Sequence, residues 1–155
     1  MVTIRDCRAG DVDDMAAMAE ARRVAYERFE PLFWKKAEAS LPRHRAFLEH
    51  LVVDPRNLCL FAEDARPLGF LIATEARVPP VFDSGRTAMI DDFCVAEPSL
   101  WPDVGARLLE TARQRLRESG FAQIVVVTGF KDLEKSAFLE TQQLSLASTW
   151  WTAPA

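Results

Sequence analysis

Two adjacent carboxylates, Asp91 and Asp92, interrupt an apolar run, Ile90, Phe93, Cys94 and Val95. Charged groups in such a setting are costly unless they are bonded or put to use. A carboxylate is also the group that can take a proton from an ammonium as a general base. Successive side chains of a strand point to opposite faces, so the pair is expected to serve two environments. By parity Asp91 shares a side with Phe93 and Val95, while Asp92 faces the packing side or a loop partner. Cys94 would need an activating His to act as a nucleophile, and none lies near it in sequence. A small buried apolar role fits it better. His44 and His50 are six apart and do not share a helix face as metal ligands four apart would, so no metal site is expected.

The elements that must position these residues follow from periodicity and punctuation. Val2, Ile4 and Cys7 suggest an opening strand, and Gly10 breaks it ahead of a helix over 13–29. The stripe of that helix runs Met15, Met18, Ala19, Arg22, Ala25, Tyr26 and Phe29, with the stem of Arg22 bridging an apolar gap, and Pro31 stops it. A second helix is read over 40–53. Strands over 57–63 and 68–76 are joined by hairpin chemistry at Asp64, Ala65, Arg66 and Pro67 and should pair antiparallel. The segment 77–86, with two prolines and a glycine, is a long loop of the kind that can serve as a lid. A strand over 87–95 follows, then a helix over 104–119 ending at Gly120. The β-branched run 123–128 reads as a central strand buried on both faces and paired parallel. A helix over 132–142 capped by Asp132 and a last strand over 144–152 complete the chain.

With 155 residues, 49% hydrophobic and 27% charged, the chain reads as one globular domain able to bury its own core. It carries 19 Lys+Arg against 23 Asp+Glu and no basic block, so it lacks the electrostatic footprint that nucleic acid or an anionic membrane requires. Cys7, Cys59 and Cys94 are odd in number and widely separated, which builds neither a disulfide framework nor a paired zinc site. They read as reduced cysteines of a cytoplasmic protein, with no leader and no membrane span expected.

The order strand, two helices, three strands, helix, strand, helix, strand, centred on IDDFCVAEPSLWPDVGARLLETARQRLRESG, resembles the GNAT superfamily of acyl-CoA-dependent N-acyltransferases. The resemblance covers nearly the whole chain. It implies an α/β, GNAT-like single domain over 1–155, a mixed twisted sheet of about six strands flanked by four helices. It also implies acetyl-CoA as co-substrate and transfer of an acetyl or similar group to an amine of a small molecule or peptide.

The site residues implied by the resemblance are as follows. Trp101, Asp103, Val104, Gly105 and Ala106 lie where a loop enters a helix N-terminus and offers N–H groups and a positive dipole end to a pyrophosphate, with Arg107 one turn on to offset Asp103. The backbone of Phe93, Cys94 and Val95 would serve the oxyanion and the pantetheine arm. Of the catalytic pair Asp91 and Asp92, the resemblance turns the first acid, Asp91, toward the acceptor as the base; Ser136 could donate toward the coenzyme sulfur, and Tyr26, Trp34 and Phe82 could line the acceptor pocket.

Departures from the family pattern are also legible. Where the family has Gln or Arg, two residues, Gly, one residue, then Gly or Ala, this chain has Leu100, Asp103 and Gly105, and only the last position matches. Pro102 has no N–H, and Asp103 is expected to cap the following helix, in competition with phosphate binding. The Asn after the fifth strand and the helix Tyr are missing, with Phe138 and Leu139 near the Tyr position and Gln143 and Leu144 in place of Gly-Phe. There are residues for one closing strand rather than two, which leaves an edge open or covered by a second subunit. A GNAT-like module without catalysis, serving binding or regulation, is the competing reading, and a homodimer is a third.

Overall fold

A computed structural model describes all residues, 1–155. Alternation of side chains builds one sheet with a core on each face. In β2 (Leu58–Glu63), Leu60 and Ala62 face one way and Cys59 and Phe61 the other; in β3 (Pro67–Glu75), Leu71 and Ala73 oppose Phe70 and Ile72. The strands form a hairpin through a turn in which Ala65 takes φ 56°. β1 (Thr3–Asp6) and β4 (Thr87–Val95) flank it, both antiparallel, and β5 (Gln123–Val126) pairs parallel to β4, giving the order β1-β2-β3-β4-β5. A parallel neighbour needs a crossover, which α3 (Ala106–Glu118) supplies after a 3-10 turn at Pro98–Leu100 and a wide turn at Trp101–Gly105.

Leu108, Leu109, Ala112 and Leu116 recur at helical spacing, and with Phe138 and Leu139 of α4 (Leu133–Thr141) they cover the face carrying Leu60, Leu71, Ile90 and Phe93. Val12, Met15, Ala16 and Ala19 of α1 (Val12–Phe29) and Leu48 of α2 (Ser40–Val53) cover the face carrying Phe61, Phe70, Ile72 and Cys94. No helix is long and apolar enough to cross a membrane.

Three expectations about the sheet are corrected. It has five strands rather than about six: after α4, Gln143 adopts φ 62° and residues 144–155 form no strand. That left-handed step sends the chain toward the α1–α2 connection, where Trp150 meets Phe33 ring to ring at 6.0 Å while Trp151 stays 95% exposed. β5 is not a central strand, because it pairs with β4 alone and is half-buried.

The third correction bears on the acids. Leu71 pairs with Phe93 but Ala73 pairs with Ile90, so Asp91 and Asp92 together oppose Ile72 in a β-bulge. Ile90 and Phe93, three apart, therefore lie in the same core, and the parity that grouped Asp91 with Phe93 and Val95 does not hold.

Tyr26 ties the two layers together beyond β5. Its hydroxyl donates to Asp132 Oδ2 at 2.7 Å and accepts from the Gly129 N–H at 3.1 Å, and a Cβ at Gly129 would stand 2.9 Å from its ring. Burial, with the Asp132 charge adding to it, pushes the Tyr26 phenol up to about 12. Tyr26→Phe leaves the buried Gly129 N–H without an acceptor and should cost about 1–3 kcal/mol. Denaturant titration of the two proteins measures this, and an unchanged midpoint contradicts it.

Candidate functional site

β4 and β5 run as a ladder only as far as Ile90 and Val126, with a last bond from Val127 N–H to Ile90 O at 3.0 Å. The bulge at Asp91 and Asp92 begins where that ladder stops, and the strands part beyond it. Lys135 of α4, only 1% exposed, fills the parting: its Nζ donates to Phe93 O at 3.1 Å and Val127 O at 3.0 Å, one carbonyl from each side. The ammonium lies 5.4 Å from the Phe93 ring centroid and 5.5 Å from that of Trp101. Two charge-assisted bonds and two ring faces offset much of the cost of burying the charge. Burial, with the nearby Arg22 charge, still lowers the Lys135 pKa to about 8.

Trp101 seals the same region from α3's side. Its ring stacks on Phe138 at 5.1 Å and meets Phe93 edge-on at 4.9 Å, and a Cβ at Gly105 would stand 2.6 Å from it. Gly105 is thus required by the close approach of Trp101. Trp101, Val104 and Gly105 are buried, Asp103 and Arg107 are exposed, and Ala106 is between. The expected cap is absent: the carboxylate of Asp103 takes no helix N–H. Pro102 and the wide turn move the start of α3 to Ala106, beyond its reach. Arg107 does not sit against Asp103 either; it donates to Val2 O at 2.8 Å.

On the opposite face a polar network joins β4 to α1 and α2. Asp92 Oδ1 accepts from Arg22 Nη2 and Asp92 Oδ2 pairs with His44 Nε2, both at 3.1 Å. Arg23 Nη1 lies 2.8 Å from His44 Nδ1. A guanidinium only donates, so Nδ1 accepts from Arg23 and Nε2 donates to Asp92. Burial raises the Asp92 carboxyl, but the His44 bond and the Arg22 charge more than offset this and hold it below the usual carboxylate range. Both His44 nitrogens are engaged, so this residue positions its neighbours. Cys94 shares this face, 4% exposed, and burial raises its thiol, in keeping with a small buried apolar role.

A cavity of about 50 Å3 opens beside this network, lined by Arg22, Arg23, Tyr26, Trp34, Asp91, Val127 and Thr128. Of the residues singled out from sequence, Asp91, Tyr26 and Trp34 meet here. Phe82 does not: it is 67% exposed on the loop between β3 and β4, because apolar residues beside Pro79 and Pro80 find no core to enter. Ser136 is half-buried next to Lys135, and its side chain makes no hydrogen bond. Arg22, Arg23, His44 and Lys135 carry much of the site. The available signals were a lysine at helical spacing with Phe138 and Leu139, and an arginine within the α1 stripe.

Neither a family model nor a curated protein matches the sequence. Solved structures do match over nearly their full length. A mutant of the BH1408 protein of Bacillus halodurans superposes with TM-score 0.85 at 15% identity, covering 99% of both chains. A predicted acetyltransferase of Clostridium acetobutylicum, solved with acetyl-CoA, gives 0.75 at 11% identity over 99% of this chain and 96% of its own. A GCN5-related N-acetyltransferase of Ralstonia eutropha gives 0.74 at 16% identity over 100% and 99%.

The chain has the GNAT fold.

In this GNAT fold the protonation of Lys135 sets a pH dependence. Its folded value of about 8 lies below the 10.5 of the free side chain. Between the two the unfolded chain holds more protons, so this group makes stability rise with pH. Across about pH 8 to pH 10 the wild type should gain stability relative to Lys135→Met, measured by paired denaturant titrations; a flat difference contradicts the buried ammonium.

Proposed function

We propose that this chain binds an acyl-coenzyme A at the parting of β4 and β5 and transfers the acyl group to an amine. The observation that carries this reading is the parting itself. A strand residue turns its N–H and C=O to the same edge. Phe93, whose carbonyl meets Lys135, therefore offers an N–H to the same gap, suited to a thioester oxygen or an amide of the pantetheine arm. Trp101, Asp103, Val104, Gly105 and Ala106 lead into α3, whose N-terminal dipole end suits a pyrophosphate; Phe93, Cys94 and Val95 supply the backbone of the arm's binding strand. The fold of a neighbour solved with acetyl-CoA supports the same donor.

Asp91 is assigned the base. It is exposed, its carboxylate has no protein partner, and it lines the cavity next to the gap. Asp92 is held by Arg22 and His44 and acts on architecture. Ser136, one residue from Lys135 on α4, is the remaining hydroxyl for the leaving thiolate.

A second reading is favoured by Lys135. Its ammonium occupies the space a donor arm would need and takes the Phe93 carbonyl for itself. If nothing displaces it, the chain is a GNAT-fold binding or regulatory module without catalysis.

Thermal shifts separate the two. A ligand at about 100 times its dissociation constant adds about 2.7 kcal/mol to stability. Acetyl-CoA should raise the Tm of the wild type. Lys135→Met should lower the ligand-free Tm, because two carbonyls lose their donor, yet respond to acetyl-CoA with a larger shift. No shift in either protein rejects the acyltransferase reading. Asp91→Asn should keep the acetyl-CoA shift while turnover on an accepted amine, followed by thiol release, falls by roughly 10²-fold or more; a variant of normal rate removes Asp91 as the base.

A further inference from the structure

Two segments of this chain lack backbone partners. The first is the outer edge of β5. The Gln123 N–H donates to Arg86 O at 3.3 Å and the Val127 N–H to Ile90 O at 3.0 Å, so the odd-numbered residues turn their polar groups toward β4. Ile124 and Val126 therefore turn N–H and C=O the other way, where the sheet has no further strand. Strand edges are normally guarded by charge, proline or a bulge. Residues 123–128, Gln-Ile-Val-Val-Val-Thr, carry none of these.

The second is the tail that follows α4. Lys135 ties α4 to Val127 O, at the end of β5, and beyond Leu144 no residue makes a backbone hydrogen bond. Leu146 is 78% exposed and Trp150 83%, so the ring contact of Trp150 with Phe33 leaves most of the indole in water. Drawn out as a strand, the tail places Leu144, Leu146 and Trp150 on one face and Ser145, Ala147 and Thr149 on the other, the alternation of a half-buried strand. Residues 144–152 carry no charge, and neither does the β5 edge. Pairing them opposes no like charges and removes none from water.

We infer that two copies of this chain associate through β5, each laying residues 144–152 along the β5 edge of the other as a sixth strand of its sheet. A second copy fits this edge better than a foreign peptide. Every chain has one open edge and one unpaired tail, so a twofold exchange satisfies both and leaves neither over. A foreign strand would cover the edge and leave the tryptophan-bearing tail in water. Reach is no obstacle: nine extended residues span about 30 Å, and with the two β5 edges facing across the axis each tail starts from beside them. Main-chain bonds to Ile124 and Val126 supply the pairing, and Leu146 and Trp150 supply the apolar burial. The inference does not depend on the acyltransferase reading, and the acetyl-CoA experiments leave it untouched.

Light scattering over a dilution series tests it. The wild type should have the mass of two chains. Val126→Pro removes an outward N–H that no bond within the chain uses, and should have the mass of one chain with an unchanged circular dichroism spectrum. Ala147→Pro combined with Ser148→Pro breaks the tail strand in either parity and should do the same. Mixed together, the edge variant and the tail variant hold one intact tail and one intact edge between them, so the mixture should regain a species of two chains. Should Val126→Pro fail to fold, the tail variant decides, because its edge stays open. A synthetic peptide of residues 144–152 should bind it in calorimetry, and the same peptide carrying the two prolines should not. A wild type with the mass of one chain at every concentration overturns the inference. So does a tail variant that dimerises as the wild type does, a mixture of folded variants that stays monomeric, or a peptide that does not bind.

Discussion

A single ammonium group joins the halves of this sheet where its backbone ladder ends. Lys135 reaches from α4 to one carbonyl on β4 and one on β5, past the last pair of strand residues. A bare gap there would leave two carbonyls buried without donors. The lysine satisfies both and remains charged at neutral pH, although burial lowers its pKa to about 8. Around it the packing is aromatic, with Phe93, Trp101 and Phe138 in mutual contact, and that packing fixes the turn into α3 through the close fit of Trp101 on Gly105. The entry to the helix, the opening of the sheet and the placement of α4 all depend on where this amine sits.

The opposite layer is organised by charge. Asp92 anchors Arg22 and His44, His44 anchors Arg23, and Arg23 is shared with Glu20. Breaking one member of such a network leaves a partner buried and unpaired, so its parts act together. Its result is an arginine fixed beside a small cavity, with Tyr26 closing the far wall through its bonds to Asp132 and Gly129.

The fold was legible in the sequence where periodicity speaks: the hairpin of β2 and β3, the stripe of α3 and the Asp132 cap of α4, whose carboxylate accepts from Lys135 N–H, follow from local patterns. The last strand was not. Leu144 to Thr152 has strand-like composition, but a strand exists only where a partner edge receives it, and the left-handed step at Gln143 is invisible to propensity. The site was half legible. Asp91, Tyr26 and Trp34 stood out by type and do meet at one cavity. Arg22 and Lys135 were hidden because a charged residue inside an apolar stripe reads as a snorkelling stem, and only tertiary packing shows that these heads turn inward.

The bulge in β4 acts as a reading-frame shift written into a strand. Upstream of it, residues through Ile90 are phased against β3 in one frame; downstream, Phe93 and Cys94 are phased in the other, and both frames bury apolar side chains correctly. The strand therefore carries one surplus position that no core has to fill. A polar or charged residue can be exchanged at that position without disturbing the packing register on either side, so the chemistry at Asp91 is free to vary while the fold stays fixed.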